Sequence, residues 1–130
     1  MKAYWDSSAL VEAVSDPALR ARLKTERGFT RTHALAEVFS ALTGNPHVRF
    51  DADWAARTIE QLIDDLDFVD VSAADMVSAL KQAKRKGVRG GHVHDLLHAA
   101  AADQSRAQEL LTIDVNDFKG LPNRVAVTSV

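Results

Sequence analysis

The chain has no cysteine, so neither a disulfide framework nor a thiolate zinc site is open to it, and the cytoplasm is the expected setting. It also lacks any apolar run near the roughly 18 residues that span a bilayer, and one Lys before Asp6 makes no export signal. No membrane role is expected. There is no internal repeat, low-complexity tract or linker, so the 130 residues are expected to form one domain, 1–130, around one core. A strong positive charge is missing as well: the formal charge of -2 and a pI near 6.2 do not advertise a nucleic-acid binder. Net charge is an average, however, and an acidic site can coexist with a basic patch.

What the chain does have is acids at the ends of its elements. Lys2-Ala-Tyr-Trp-Asp6 reads as a short buried strand that ends at its acid, with Ser7 and Ser8 suited to capping the helix that follows. Asp16-Pro17 starts a second helix, which Gly28 stops. Phe29 to Thr32 is a second strand, and His33 to Leu42 a helix with Leu35, Val38, Phe39 and Leu42 on one stripe and Glu37 beside it. Asp51 to Leu66 is a scaffold helix with Trp54 in its core pattern; Asp67 to Val71 alternates like a strand. Ser72 caps a helix over 73–86, and another runs from about His94 to Arg106. Glu109 to Ile113 and Arg124 to Val127 are further strands, separated by the turn residues 119–123.

Strands separated by helices imply parallel pairing through right-handed crossovers, hence a three-layer α/β/α sandwich with a short, mainly parallel sheet. Ligands in such sheets gather beyond the carboxyl ends of the strands. Asp6 and Asp114 follow strand ends directly, Asp117 lies three residues further on, and Glu37 and Asp95 sit near helix starts on what would be the same edge. Carboxylates meeting there would repel unless a divalent cation neutralised them, and oxygen-only ligands suit Mg2+ or Mn2+. The expectation is a metal-dependent enzyme acting on phosphate.

Two other clusters invite chemistry. His92-x-His94-x3-His98 could be read as a zinc site, since imidazoles at i and i+4 share a helix face, but the fourth ligand is missing and polar residues near an anionic substrate are the stronger reading. Lys84, Arg85 and Lys86 lie in the densest basic run, just ahead of Asp95. Such a run is either a solvated helix face or a grip on a polyanion's phosphates beside the metal.

The ordered set resembles the PIN-domain ribonucleases and, at this length, the VapC toxins of toxin–antitoxin pairs. Tyr4-Trp5-Asp6-Ser7-Ser8-Ala9-Leu10 resembles the family's opening motif, and Ala36-Glu37-Val38 the second. The third is matched by Asp95 and the alanine-rich helix after it, the fourth by Leu111-Thr112-Ile113-Asp114-Val115-Asn116-Asp117-Phe118. The resemblance implies that Asp6, Asp95 and either or both of Asp114 and Asp117 bind Mg2+ or Mn2+. Glu37 would act directly or through water, and Ser8 and Thr112 would orient ligands. It further implies RNA cleavage to 5′-phosphate and 3′-hydroxyl ends, a homodimer, and a small antitoxin that blocks the site. Competing readings are a catalytically silent PIN-like module that binds RNA or protein, and a receiver-like phosphoacceptor domain. The second would want a Lys after a late strand, and Arg124-Val-Ala-Val127 offers none.

Overall fold

The computed structural model describes residues 2–47 and 50–130. Strand β1 (Ala3–Trp5) is three residues long and buried on both faces, so its side chains divide between two cores. Ala3 and Trp5 pack on one side with helices α1 (Ser7–Ser15), α2 (Pro17–Glu26), α3 (His33–Gly44) and α4 (Ala52–Ile63). Tyr4 faces the other side, where α7 (Val93–Ser105) contributes Leu96, Ala99, Ala101 and Ala102. Helices α5 (Ala73–Lys81) and α6 (Ala83–Lys86) lie between β3 and α7 in the chain.

All five strands run parallel in the order β3-β2-β1-β4-β5, with β2 at Gly28–Thr30, β3 at Leu66–Phe68, β4 at Glu109–Thr112 and β5 at Ala126–Ser129. The expected α/β/α sandwich is therefore what forms. The chain moves outward from β1 through β2 to β3, then crosses to the opposite flank for β4 and β5, which puts the topological switch between β1 and β4. One parallel connection needs no α-helix: β4 reaches β5 through a 3-10 turn at Val115–Phe118 and a loop. Among the described residues no helix is long and apolar enough to cross a membrane.

Several local expectations are corrected. Gly28 does not stop α2; the chain turns at Arg27, whose φ is +61°, and Gly28 opens β2. A glycine stands there for space, because a Cβ would lie 2.6 Å from Trp5 Cδ1 and 2.9 Å from Leu23 Cδ1. The helix expected over 73–86 breaks at Gln82 into α5 and α6, and left-handed Gly87 ends it. Trp54 is not core: it is 36% exposed and stacks on Phe50 with 4.3 Å between ring centroids, while Ala55 and Leu62 hold α4 down.

Candidate metal centre

Asp6 follows β1 immediately and extends its pairing, donating its backbone N–H to the Leu111 carbonyl at 3.1 Å. Its side chain is 4% exposed. Oδ1 accepts from the Ala9 N–H at 2.8 Å and from the Ser8 hydroxyl at 2.7 Å, so Asp6 caps α1 itself and neither serine does. The capping geometry also fixes the carboxylate, and Oδ2 has no hydrogen-bond partner among the described residues. Ser8 spends its one proton on Asp6, so the 3.2 Å contact with Thr112 Oγ1 is donated by Thr112. Ser8 Oγ also accepts from the Ile113 N–H (3.1 Å), and Thr112 Oγ1 from the Asp114 N–H (3.3 Å). Two buried or half-buried hydroxyls thus tie the end of β1 to the end of β4.

Asp95, in the first turn of α7, is the most perturbed carboxyl on this edge. Its pKa is raised from 3.8 to about 6, first by burial and then by the charge of Asp117, with Asp6 adding to the repulsion; His92 and His98 pull the other way. Asp95 therefore feels both Asp117 and Asp6. Asp117 sits in the 3-10 turn after β4, and its carbonyl accepts from His92 Nε2 at 2.6 Å, which fixes the proton on that nitrogen. Asp114 is exposed, as Asp117 is, and its Oδ1 closes a turn by accepting from the Asn116 N–H at 3.0 Å.

Glu37 projects from α3, and its Oε1 lies 2.9 Å from Nε2 of His98. Burial acts to raise its pKa, but the hydrogen bond from His98, with His94 and His33 nearby, outweighs it and holds the carboxyl below its ordinary value. His98 is 1% exposed, and its Nδ1 meets the Tyr4 hydroxyl at 2.8 Å. Outside Glu37 an open groove is lined by Ser7, His33, Ala36, Ser40 and His94. There the imidazoles of His33 and His94 stack, with centroids 5.5 Å apart and planes 13° from parallel.

The three histidines of the 92–98 segment do not converge. His92 turns to the Asp117 carbonyl, His94 to His33, and His98 inward to Tyr4 and Glu37. Among the described residues no three His, Asp or Glu side chains close into a metal cage. In the basic run, Lys84 and Arg85 are exposed, but Lys86 is structural: its Nζ donates to the Leu121 carbonyl (2.6 Å) and to Asn123 Oδ1 (3.1 Å). Two further polar groups carry no sequence signal: Tyr4, whose hydroxyl meets His98, and Arg31, which follows β2, is 9% exposed and has no partner for Nη1.

A family profile described as PIN domain matches residues 3–122, nearly the whole chain, and includes all five acids. The chain belongs to the PIN domain family. PIN domains are in general nucleases, and PIN nucleases in general use divalent metals. Among solved structures, the PIN chain is similar to VapBC2 from Rickettsia felis bound to a DNA fragment from their promoter, at 19% identity and a TM-score of 0.72, covering 99% of this chain and 98% of that one. It is also similar to PAE2754 from Pyrobaculum aerophilum, at 17% identity and a TM-score of 0.70, covering 98% of this chain and 92% of that one. At such identities the likeness concerns the fold. A search of curated proteins finds no match.

Proposed function

We propose that this PIN domain, taken as one unit over 1–130, is a Mg2+- or Mn2+-dependent ribonuclease and the toxin of a toxin–antitoxin pair in the cytoplasm. The observation that carries the reading is that the charges of Asp117 and Asp6 both oppose the ionisation of Asp95 at the switch between β1 and β4. An all-oxygen donor set in which two carboxylates oppose the ionisation of a third fits a hard divalent cation, which would remove the repulsion. Asp6, Asp95 and Asp117 are the ligands in this reading, with Asp114 a further candidate from the same turn. The ion, when bound, lowers the pKa of a water and offsets phosphate charge.

The protein's own residues supply the rest. Ser8 and Thr112 hold Asp6 and the β4 end at one spacing. Glu37, kept ionised, accepts a hydrogen bond from water at the groove, and the exposed Lys84 and Arg85 ahead of α7 hold flanking phosphates. VapBC2 is a toxin–antitoxin name, and the partner proposed here is an antitoxin, together with a second copy of the chain. Phe39, Trp54 and Ile63, at 37%, 36% and 38% exposure, are among the exposed apolar side chains available to partners, whereas Leu10 is fully buried. A partner that silences clustered carboxylates is expected to present an Arg, which pairs bidentately where Lys cannot.

The test is expression of the chain alone and with its candidate antitoxin, followed by end mapping of RNA cut by the purified protein. Growth arrest alone, rescue by the antitoxin, and Mg2+-dependent cuts leaving 5′-phosphates are expected. Normal growth without complex formation removes the toxin role, and EDTA-insensitive or absent cleavage removes the nuclease role.

A second expected result separates the basic residues. Lys84→Ala with Arg85→Ala should flatten the salt dependence of single-stranded RNA binding by roughly 0.7 in log–log slope for every phosphate no longer neutralised, with thermal stability hardly changed. Lys86→Met should instead lower the melting temperature by removing the bonds to Leu121 and Asn123, at a cost of about 1 kcal/mol. An unchanged salt slope in the double variant would make the run a solvated face.

A further inference from the structure

No step of the proposed reaction uses the 92–98 histidines, and one of them, His98, is buried. His98 lies 61 residues from Glu37 and 94 from Tyr4 in sequence, yet it touches both, at 2.9 Å through Nε2 and 2.8 Å through Nδ1. Tyr4 is fully buried, and its ring meets the imidazole edge to face, with 5.7 Å between centroids and 71° between planes. Both ring nitrogens are therefore spoken for, and a ring flip would break both bonds.

Only one neutral proton assignment satisfies this row of atoms. A carboxylate accepts and cannot donate, so the Nε2 that faces Glu37 must carry the proton. The neutral ring then has a bare Nδ1, which needs a donor, and the phenolic O–H of Tyr4 is the group in place. From the geometry we infer that Tyr4 and His98 form an orienting relay, in which Tyr4 fixes the His98 tautomer and His98 fixes Glu37 with one oxygen held inward and one presented to the carboxylate site. His98 is thus a positioning residue. With Oε1 engaged by His98, Oε2 is the Glu37 oxygen left free of that bond and available to a water or a metal ion. A buried imidazole that steers a functional carboxylate is the familiar carboxylate–histidine pairing with its direction reversed.

The inference rests on the reading of Glu37 as a member of the metal centre, and two independent readouts keep the two apart. The first needs no metal: 15N NMR of the histidine rings in the full metal-free chain should find His98 with its proton on Nε2, and Tyr4→Phe should disturb that tautomer. The second is Mn2+ affinity, followed by calorimetry or electron paramagnetic resonance. His98→Ala should weaken Mn2+ binding about 10-fold, the lower end for removal of an outer-shell partner. His98→Gln, which can place an amide N–H where Nε2 was, should recover most of it, and in a Glu37→Gln background His98→Ala should cost nothing further. If His98→Ala does not fold, His98→Gln and Tyr4→Phe carry the comparison. A proton on Nδ1 overturns the relay; so does wild-type Mn2+ affinity in His98→Ala, or a folded His98→Gln as weak as His98→Ala. Wild-type protein that binds no Mn2+ removes the metal reading, and the tautomer then decides the relay alone.

Discussion

Replacing Asp95 by Asn is expected to cut divalent-dependent RNA cleavage at least about 100-fold, the scale of losing even an indirect metal partner, while making the metal-free protein more stable above pH 6. The second half follows from the sign of its pKa. In the folded chain Asp95 titrates at about 6 against an ordinary 3.8, because burial and the Asp117 charge oppose ionisation. Between those values the folded state holds more proton than the unfolded one, so stability rises as pH falls through the window, and the penalty is complete above pH 6. Asn keeps the shape without the charge. Two pKa units correspond to roughly 3 kcal/mol, and partial exposure of the side chain discounts this to about 2 kcal/mol at pH 7.5. Thermal melts in EDTA at pH 7.5 and pH 4 check it: the advantage of Asp95→Asn should shrink at the lower pH. An equal difference at both pH values would mean that charge is not its source.

Gly28→Ala is expected to be among the most damaging single-methyl additions in the chain. The new Cβ would sit 2.6 Å from Trp5 Cδ1, 2.8 Å from Trp5 Nε1 and 2.9 Å from Leu23 Cδ1. Trp5 cannot retreat, since it is 1% exposed on the central strand and packs among α1 to α4. Overpacking of this kind costs about 3 kcal/mol, near 10 °C in melting temperature for a domain of this size. Because Asp6 is the next residue after Trp5, the damage should reach metal affinity too. Calorimetric melts decide: a variant melting within about 2 °C of wild type, under 1 kcal/mol, would show that the sheet absorbs the methyl.

The parts of this molecule that were legible in the sequence are those set by short-range rules. The alternation of strand and helix pointed to the parallel sheet, because parallel crossovers leave few alternatives, and Asp6 directly follows its strand as expected. What failed depended on partners distant in sequence. Gly28 reads as a helix stop because glycine commonly is one, but its neighbour across the sheet is Trp5, and Arg27 takes the positive φ instead. Asp114 and Asp117 cannot be separated by spacing; both are exposed, Asp114 closing a turn on Asn116 while the Asp117 charge acts on Asp95. Lys86 looks like its neighbours in the basic run, and only the Leu121 carbonyl and Asn123 set it apart. His98 has the helical spacing of a metal ligand, and only the packing of α7 over Tyr4 turns it inward. Trp54 matches an apolar stripe that α4 buries only in part.

The most direct measurement of the central claim is a titration of Mn2+ into the wild-type chain and Asp6→Asn at about pH 7.5, above the pKa of ordinary carboxyls, followed by calorimetry or electron paramagnetic resonance. Asn keeps an oxygen to cap α1 in place of Asp6 Oδ1, so the variant should remain folded and lose only the charge. The account predicts saturable Mn2+ binding by wild type and a drop of at least about 100-fold in affinity for Asp6→Asn, with melting temperatures in EDTA close together. Wild-type protein that does not bind Mn2+ saturably, or an Asp6→Asn variant that binds it as well as wild type, would contradict the assignment of this carboxylate cluster as a metal centre.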